Sequence, residues 1–137
     1  MAYERNKCHV ELYHGGNVPI RDFIHMDYDN DILVAVHIKK TPLKVTYLSQ
    51  RNTATDFPVL AVAVSEYEDK LHVSIGARPV KADVLTVDLS EKTDMDQLVK
   101  KVTESFSFGS NRRAGADYRR HLSGVLFKRA CTANNDN

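Results

Sequence analysis

The sequence predicts an α+β domain, with a mostly antiparallel sheet packed under two C-terminal amphipathic helices. Two observations carry this. Between Cys8 and Leu89 the apolar residues recur with the spacing of strands, and from Met95 onward they recur with the spacing of helices. Strands in one run and helices in the next, rather than in alternation, is the pattern of segregated layers.

The elements follow in order. "CHVELY" alternates, with Cys8, Val10 and Leu12 on one face, and "HGGN" supplies the glycines of a turn. "VPIRDFI" reads as an irregular connection or a single helical turn. "DILVAVHI", rich in β-branched residues and bounded by Asp31 and Pro42, is a second strand. "LKVTYLSQR" is a third, with Leu43, Val45 and Tyr47 on one face. "PVLAVAVSEY" is apolar until Ser65, as expected of a strand covered on both faces, and "EDK" turns it into "LHVSIGA", the clearest hairpin of the chain. "VKADVLTVDL" reads as a last strand whose alternation drifts.

Thr93 is placed as the N-cap of the first long helix, with Asp94 and Asp96 at its positive end. Met95, Leu98, Val99, Val102 and Phe106 form its buried stripe. A loop with "FGSN" leads to a final helix opening near Ala114 or Asp117. There the stripe reads Tyr118, Leu122, Val125, Leu126 and Arg129. Tyr118 and Leu122 are expected to be mostly buried, with the arginines meeting carboxylates such as those of "SEYED". The tail "TANNDN" is expected to fray.

At 137 residues the chain suits one domain, or one plus a short extra piece, and can bury a real core. Lys and Arg total 19 against 18 Asp and Glu, a net charge of +1, which argues against a dedicated polyanion binder. The dense basic region, Arg112, Arg113, Arg119, Arg120, Lys128 and Arg129 with Tyr118 and Phe127 interleaved, reads better as a helix flank than as a nucleic-acid surface. No apolar run is long enough to span a membrane, and two cysteines without a CxxC suit unpaired thiols in the cytoplasm. Cys8 and His9 are strand neighbours facing opposite ways, which disfavours a shared metal. Neither glycine feature, "HGGN" or "FGSN", has the context of a dinucleotide or P-loop motif, and no nucleophile elbow is present.

"NRRAGADYRRHLSGVLFKRA" resembles the C-terminal signature of the FAD-binding subunit of the xanthine dehydrogenase and carbon monoxide dehydrogenase family, the molybdenum hydroxylases. The match rests on Arg113, Gly115 and Ala116, Asp117, Tyr118, Arg119, Arg120, Leu122, Arg129 and Ala130. "GGNVPIRDFI" is similar to the stretch that leaves the family's FAD-binding domain, and "ILVAVHIKKTP" to the strand that follows it. "YLSQRNTATDFPVLAVAVS" is similar to the entry into its C-terminal domain.

The resemblance implies residues 1–42 as the tail of an FAD-binding domain and 43–137 as a C-terminal α+β domain like that of the carbon monoxide dehydrogenase flavoprotein. It implies a wall of the flavin site, with Arg51, Asp56 and Phe57 in the segment that approaches the ring. A positive group there, held by an acid, is chemically sensible. The large N-terminal region that holds the FAD pyrophosphate in the family has no counterpart in these residues. FAD is therefore expected only with an N-terminal FAD-binding domain supplied, and the chain is not expected to turn over alone. The implied partners are that domain and the iron–sulfur and molybdenum subunits; a homo-oligomer is possible, and neither nucleic acid nor membrane is implied. The alternative is a stand-alone interaction or assembly protein that keeps the fold without flavin.

Overall fold

The computed structural model describes residues 8–27, 29–89 and 94–135. The chain divides into two compact units, Met1–Pro42 and Leu43–Asn137.

The first unit holds β1 (Cys8–Leu12), β2 (Gly16–Pro19), the single helical turn α1 (Ile20–Phe23) and β3 (Leu33–Ile38). Its sheet runs β2-β1-β3, antiparallel throughout. The "HGGN" turn is made by Gly16 at φ 67°, a left-handed conformation that glycine adopts without strain. Asp31 then ties the turn to the start of β3. Its carboxylate accepts the backbone N–H of His14 at 2.9 Å, of Gly15 at 2.7 Å and of Ile32 at 2.8 Å. The bond from His14 is the largest of the effects that lower the Asp31 pKa. On one face of the sheet His9 stacks on His37 at 4.5 Å between ring centroids, and His37 Nε2 meets Glu11 Oε2 at 2.9 Å.

The second unit is a four-stranded antiparallel meander of β4 (Lys44–Gln50), β5 (Leu60–Tyr67), β6 (Lys70–Gly76) and β7 (Asp83–Asp88), followed by α2 (Met95–Ser105) and α3 (Ala116–Asn135). The α+β class is as the sequence predicts. Pairing places Val62 between Leu48 and Ile75, and Val73 between Val64 and Leu85, so one sheet face is continuous and apolar. Leu98, Val102, Phe106, Leu122, Leu126 and Phe127 close over it. Gly124 permits the close approach of α2 and α3: a Cβ there would lie 3.0 Å from Val99 Cγ1 and 3.2 Å from Thr103 Cγ2. Burial pushes the Cys131 thiol on the same helix up to about 11. Both cysteines are free thiols.

Several sequence expectations need correction. β5 is covered on one face rather than both: Leu60, Val62 and Val64 are buried, while Ala61, Ala63 and Ser65 between them are half-buried. Val45 and Tyr47 of β4 share that outer face and are exposed, so the inward residue of the strand is Leu48. In α2 the N-cap is Asp94, without a side-chain capping bond, and Thr93 lies outside the described residues. In α3 the inward stripe is Arg119, Leu122, Ser123, Leu126, Phe127, Ala130 and Cys131. Tyr118 is 50% exposed and Arg129 is exposed, so the helix is rotated by about one residue from the expected setting. The tail does not fray at "TANN": α3 runs to Asn135, and Thr46 Oγ1 of β4 donates to Asn134 Oδ1 at 2.7 Å.

The β5–β6 hairpin turns through Glu68 and Asp69, both left-handed at φ 50° and 57°. Two successive positive φ values are the geometry that Asn-Gly accommodates and a glutamate resists. Glu68→Asn combined with Asp69→Gly should stabilise the chain by about 1 kcal/mol, read as a higher urea midpoint at unchanged m-value.

Candidate functional site

Two loops meet at one end of the second unit: 51–59, which joins β4 to β5, and 106–115, which joins α2 to α3. Arg119 holds them together. Its side chain is fully buried, yet no carboxylate faces it. Nε donates to Val59 O at 2.9 Å, Nη1 to Gly109 O at 2.8 Å and Ala114 O at 2.6 Å, and Nη2 to Asn111 Oδ1 at 2.7 Å. Asn111 Oδ1 also accepts the backbone N–H of Arg113 at 2.9 Å, and Asn111 N–H donates to Ala114 O at 3.0 Å. The loop is thus folded around a guanidinium whose donors are matched to carbonyl oxygens. Burial, then the nearby Arg113, lowers the Arg119 pKa. A guanidinium stays charged through such a shift.

Arg78, also buried, fixes the other side of this loop. Its Nη1 donates to Ser107 O at 2.7 Å, its guanidinium lies 5.6 Å from the Phe106 ring centroid, and its own carbonyl accepts Gly109 N–H at 2.9 Å.

On this foundation sit the residues the sequence singled out. Arg51, Asp56 and Phe57 are brought together, but not in the expected pairing. Arg51 Nη1 donates to the backbone oxygen of Asp56 at 2.8 Å, and the Asp56 carboxylate is taken by Arg113 from the other loop. Arg113 Nε and Nη2 reach Asp56 Oδ1 at 3.1 and 3.0 Å, and the same carboxylate accepts Phe57 N–H at 2.7 Å. The Arg113 hydrogen bond is the main cause of the lowered Asp56 pKa, followed by the bond from Phe57. Arg113 also lies 5.4 Å from the Phe57 ring centroid, within cation–π range, and that ring is 74% exposed. The result is a surface with two guanidiniums, one carboxylate already engaged and an aromatic face open to solvent. Such a donor set suits a flat, electron-rich or anionic group.

Sequence reasoning missed the roles of Arg113, Arg119 and Asn111. Arg113 and Arg119 stood in the basic region, but Asp56, the partner of Arg113, is 57 residues away and Val59, one of the four acceptors of Arg119, is 60 residues away, beyond any local pattern. Two of the remaining basic residues meet acids other than those of "SEYED": Arg120 pairs with Asp117 at 3.6 Å and Lys128 with Asp96 at 3.5 Å. Among the described residues no group of three or more His, Cys, Asp and Glu side chains is arranged to hold a metal, and no helix is long and apolar enough to cross a membrane.

Replacing Arg119 by Lys leaves one ammonium for four acceptors and should cost about 3 kcal/mol of stability, measured by urea denaturation. Asp56 has a depressed folded-state pKa, so its contribution is complete above about pH 4 and is lost as pH falls through the folded value. Arg113→Ala should raise the Asp56 pKa toward its usual 3.8, read by carboxyl NMR titration.

No protein-family model matches the sequence, and no curated protein matches it. Solved structures do share its fold. Quinoline 2-oxidoreductase from Pseudomonas putida 86 superposes with a TM-score of 0.76 at 16% identity, covering 97% of this chain and 54% of that one. Carbon monoxide dehydrogenase from Hydrogenophaga pseudoflava, lacking the Mo-pyranopterin moiety of its molybdenum cofactor, gives 0.74 at 16% identity, with 96% and 53% covered. Reconstituted CO dehydrogenase from Oligotropha carboxidovorans gives 0.72 at 18% identity, with 94% and 53% covered. The chain therefore has the α+β architecture of these chains and spans about half the length of each.

Proposed function

We propose that this chain is the C-terminal portion of an FAD-binding subunit of a molybdenum hydroxylase-type oxidoreductase, forming a wall of the flavin site and a docking surface for its partners. The observation that carries this reading is a fold match that covers 94–97% of this chain and about half of each oxidoreductase neighbour. The sequence resemblance around Arg113 to Ala130 supports the same reading from a different direction.

Residues 1–42 then stand for the end of an FAD-binding domain and 43–137 for the C-terminal domain. FAD, when bound, supplies one- and two-electron transfer between donor and acceptor. Arg51 and Arg113 would contribute positive charge that favours an electron-rich ring, Asp56 would hold Arg113 in place, and Phe57 would offer an aromatic surface. The chain holds no phosphate cradle of the glycine-rich kind, so the pyrophosphate would be bound by an N-terminal FAD-binding portion. Catalysis would require that portion together with iron–sulfur and molybdenum subunits. The proposed place of work is the cytoplasm, in keeping with two free thiols.

The test is a titration with FAD, followed by flavin fluorescence, of the purified chain alone and with the N-terminal half of each neighbour chain supplied as a separate polypeptide. Quenching should occur only in the presence of such a half, and Phe57→Ala or Arg113→Ala should weaken it about tenfold. No difference between the chain-plus-half mixture and either component alone would overturn the reading.

A further inference from the structure

Between α2 and α3, away from the side chains that cover the sheet, lies a cleft of about 500 Å³, within the range of small-molecule sites. Its lining shares no residue with the surface built by Arg51, Asp56, Phe57 and Arg113. On α2 it is formed by Asp96, Val99 and Thr103, whose spacing of three and four residues puts them on one face. On α3 it runs from Asp117 to Lys128, about 16 Å at the helical rise.

The middle of the cleft is apolar and flat. Gly124 has no side chain to raise the floor, and Val99, Thr103 and Val125, each half-buried, flank it. The two ends differ in charge. At one, Lys128 Nζ meets Asp96 Oδ1 at 3.5 Å and the cations are matched. At the other, the Arg120 guanidinium makes no hydrogen bond among the described residues: Asp117 Oδ1 stands 3.6 Å from Nη1, beyond hydrogen-bonding reach. That carboxylate is fully exposed, and an exposed pair of this kind holds its partners weakly. The guanidinium is steadied instead by the Phe108 ring, whose centroid lies 5.9 Å away, within cation–π range. His121, also lining this end, has no side-chain partner among the described residues.

We infer that this cleft binds a planar aromatic monocarboxylate, with the carboxylate on Arg120 and His121 and the ring over Gly124 between Val99 and Val125. Each part of the ligand answers a feature of the cleft. The fork of N–H donors on a guanidinium matches the two oxygens of a carboxylate. Asp96 and Asp117 line the same cleft and repel further negative charge, which disfavours phosphates and nucleotides and selects a single charge. A floor without a side chain, between two helices in close contact, suits a flat ring better than a puckered one. The site is independent of the flavin reading and needs no second polypeptide.

The test is a titration of the full chain with 2-naphthoate, followed by calorimetry and by amide NMR shifts. Binding with a Kd below about 1 mM is expected, with shifts concentrated at Val99, Thr103 and residues 120–128. Arg120→Gln should weaken it at least about tenfold at an unchanged urea midpoint, since the side chain is half exposed and holds no buried partner. The neutral 2-naphthamide should bind at least about tenfold more weakly to the parent chain, and so should decahydro-2-naphthoate, which keeps the charge and puckers the rings. No binding at about 10 mM overturns the inference. Equal binding by the parent chain and Arg120→Gln, or of the acid and the amide, overturns it by removing the carboxylate contact. Equal binding of the decahydro acid overturns the selection of a planar ring. Shifts centred on Arg51, Phe57 and Arg113 would put the anion on the other surface and overturn it as well. All of these outcomes leave the flavin reading standing.

Discussion

The end of the second unit that carries the candidate site depends on a buried cation without a counter-ion. A charged group taken out of water is tolerated when every polar atom it carries finds a partner, and Arg119 finds four oxygens. Three are backbone carbonyls and one is an amide oxygen, so the cation is solvated by dipoles rather than neutralised. Those carbonyls lie at the start of β5 and along the loop before α3, where the chain lacks strand or helix partners of its own. Arg119 therefore adds hydrogen bonds to the few the loop makes internally, such as Asn111 N–H to Ala114 O. Removing the guanidinium would leave those acceptors in a place that water does not reach.

The surface above it inherits this order. Arg113 belongs to the turn that Asn111 and Ala114 close, and Asn111 and Ala114 are themselves fastened by Arg119. A second guanidinium near a buried one raises the local positive potential, visible in the influence of Arg113 on Arg119. The Asp56 carboxylate offsets it by binding Arg113. This explains why Asp56 pairs across the loops instead of with Arg51, five residues before it: Arg113 offers a two-pronged contact, whereas Arg51 reaches the Asp56 backbone oxygen. Phe57 is held next to the pair because its own N–H is bound by the same carboxylate.

What could be read from the sequence follows from how local each signal is. The β5–β6 hairpin and α2 were legible because strand alternation, a turn and a helical stripe are properties of ten residues or so. The setting of α3 was not, because an apolar-stripe reading places tyrosine inside and arginine outside. Here the guanidinium has one carbonyl partner 60 residues away, at Val59, and two more in the loop before its own helix, and Tyr118, with no such demand, turns outward. The inward face of β4 was misread for a related reason: Val45 and Tyr47 look more apolar than Thr46 and Leu48, but register with Val64 and Val62 decides which pair faces the helices. Of the candidate site, Arg51, Asp56 and Phe57 were legible as a segment, and the pairing that organises them was not.

The two units differ in how far they satisfy the same physical requirement. The second pairs its strands into a meander and places two amphipathic helices over one apolar face, so β5 and β6 bury an unbroken row of valine, leucine and isoleucine. The first buries Val10 and Leu12 alone among the apolar side chains of its described residues. It has no disulfide, since Cys8 is a free thiol, and His9 and His37 stack on each other, His37 also meeting Glu11. Burying a valine or isoleucine side chain gains roughly 1.5–3 kcal/mol, so a strand that leaves Val34, Val36 and Ile38 in water forgoes an amount comparable with the stability of a small domain.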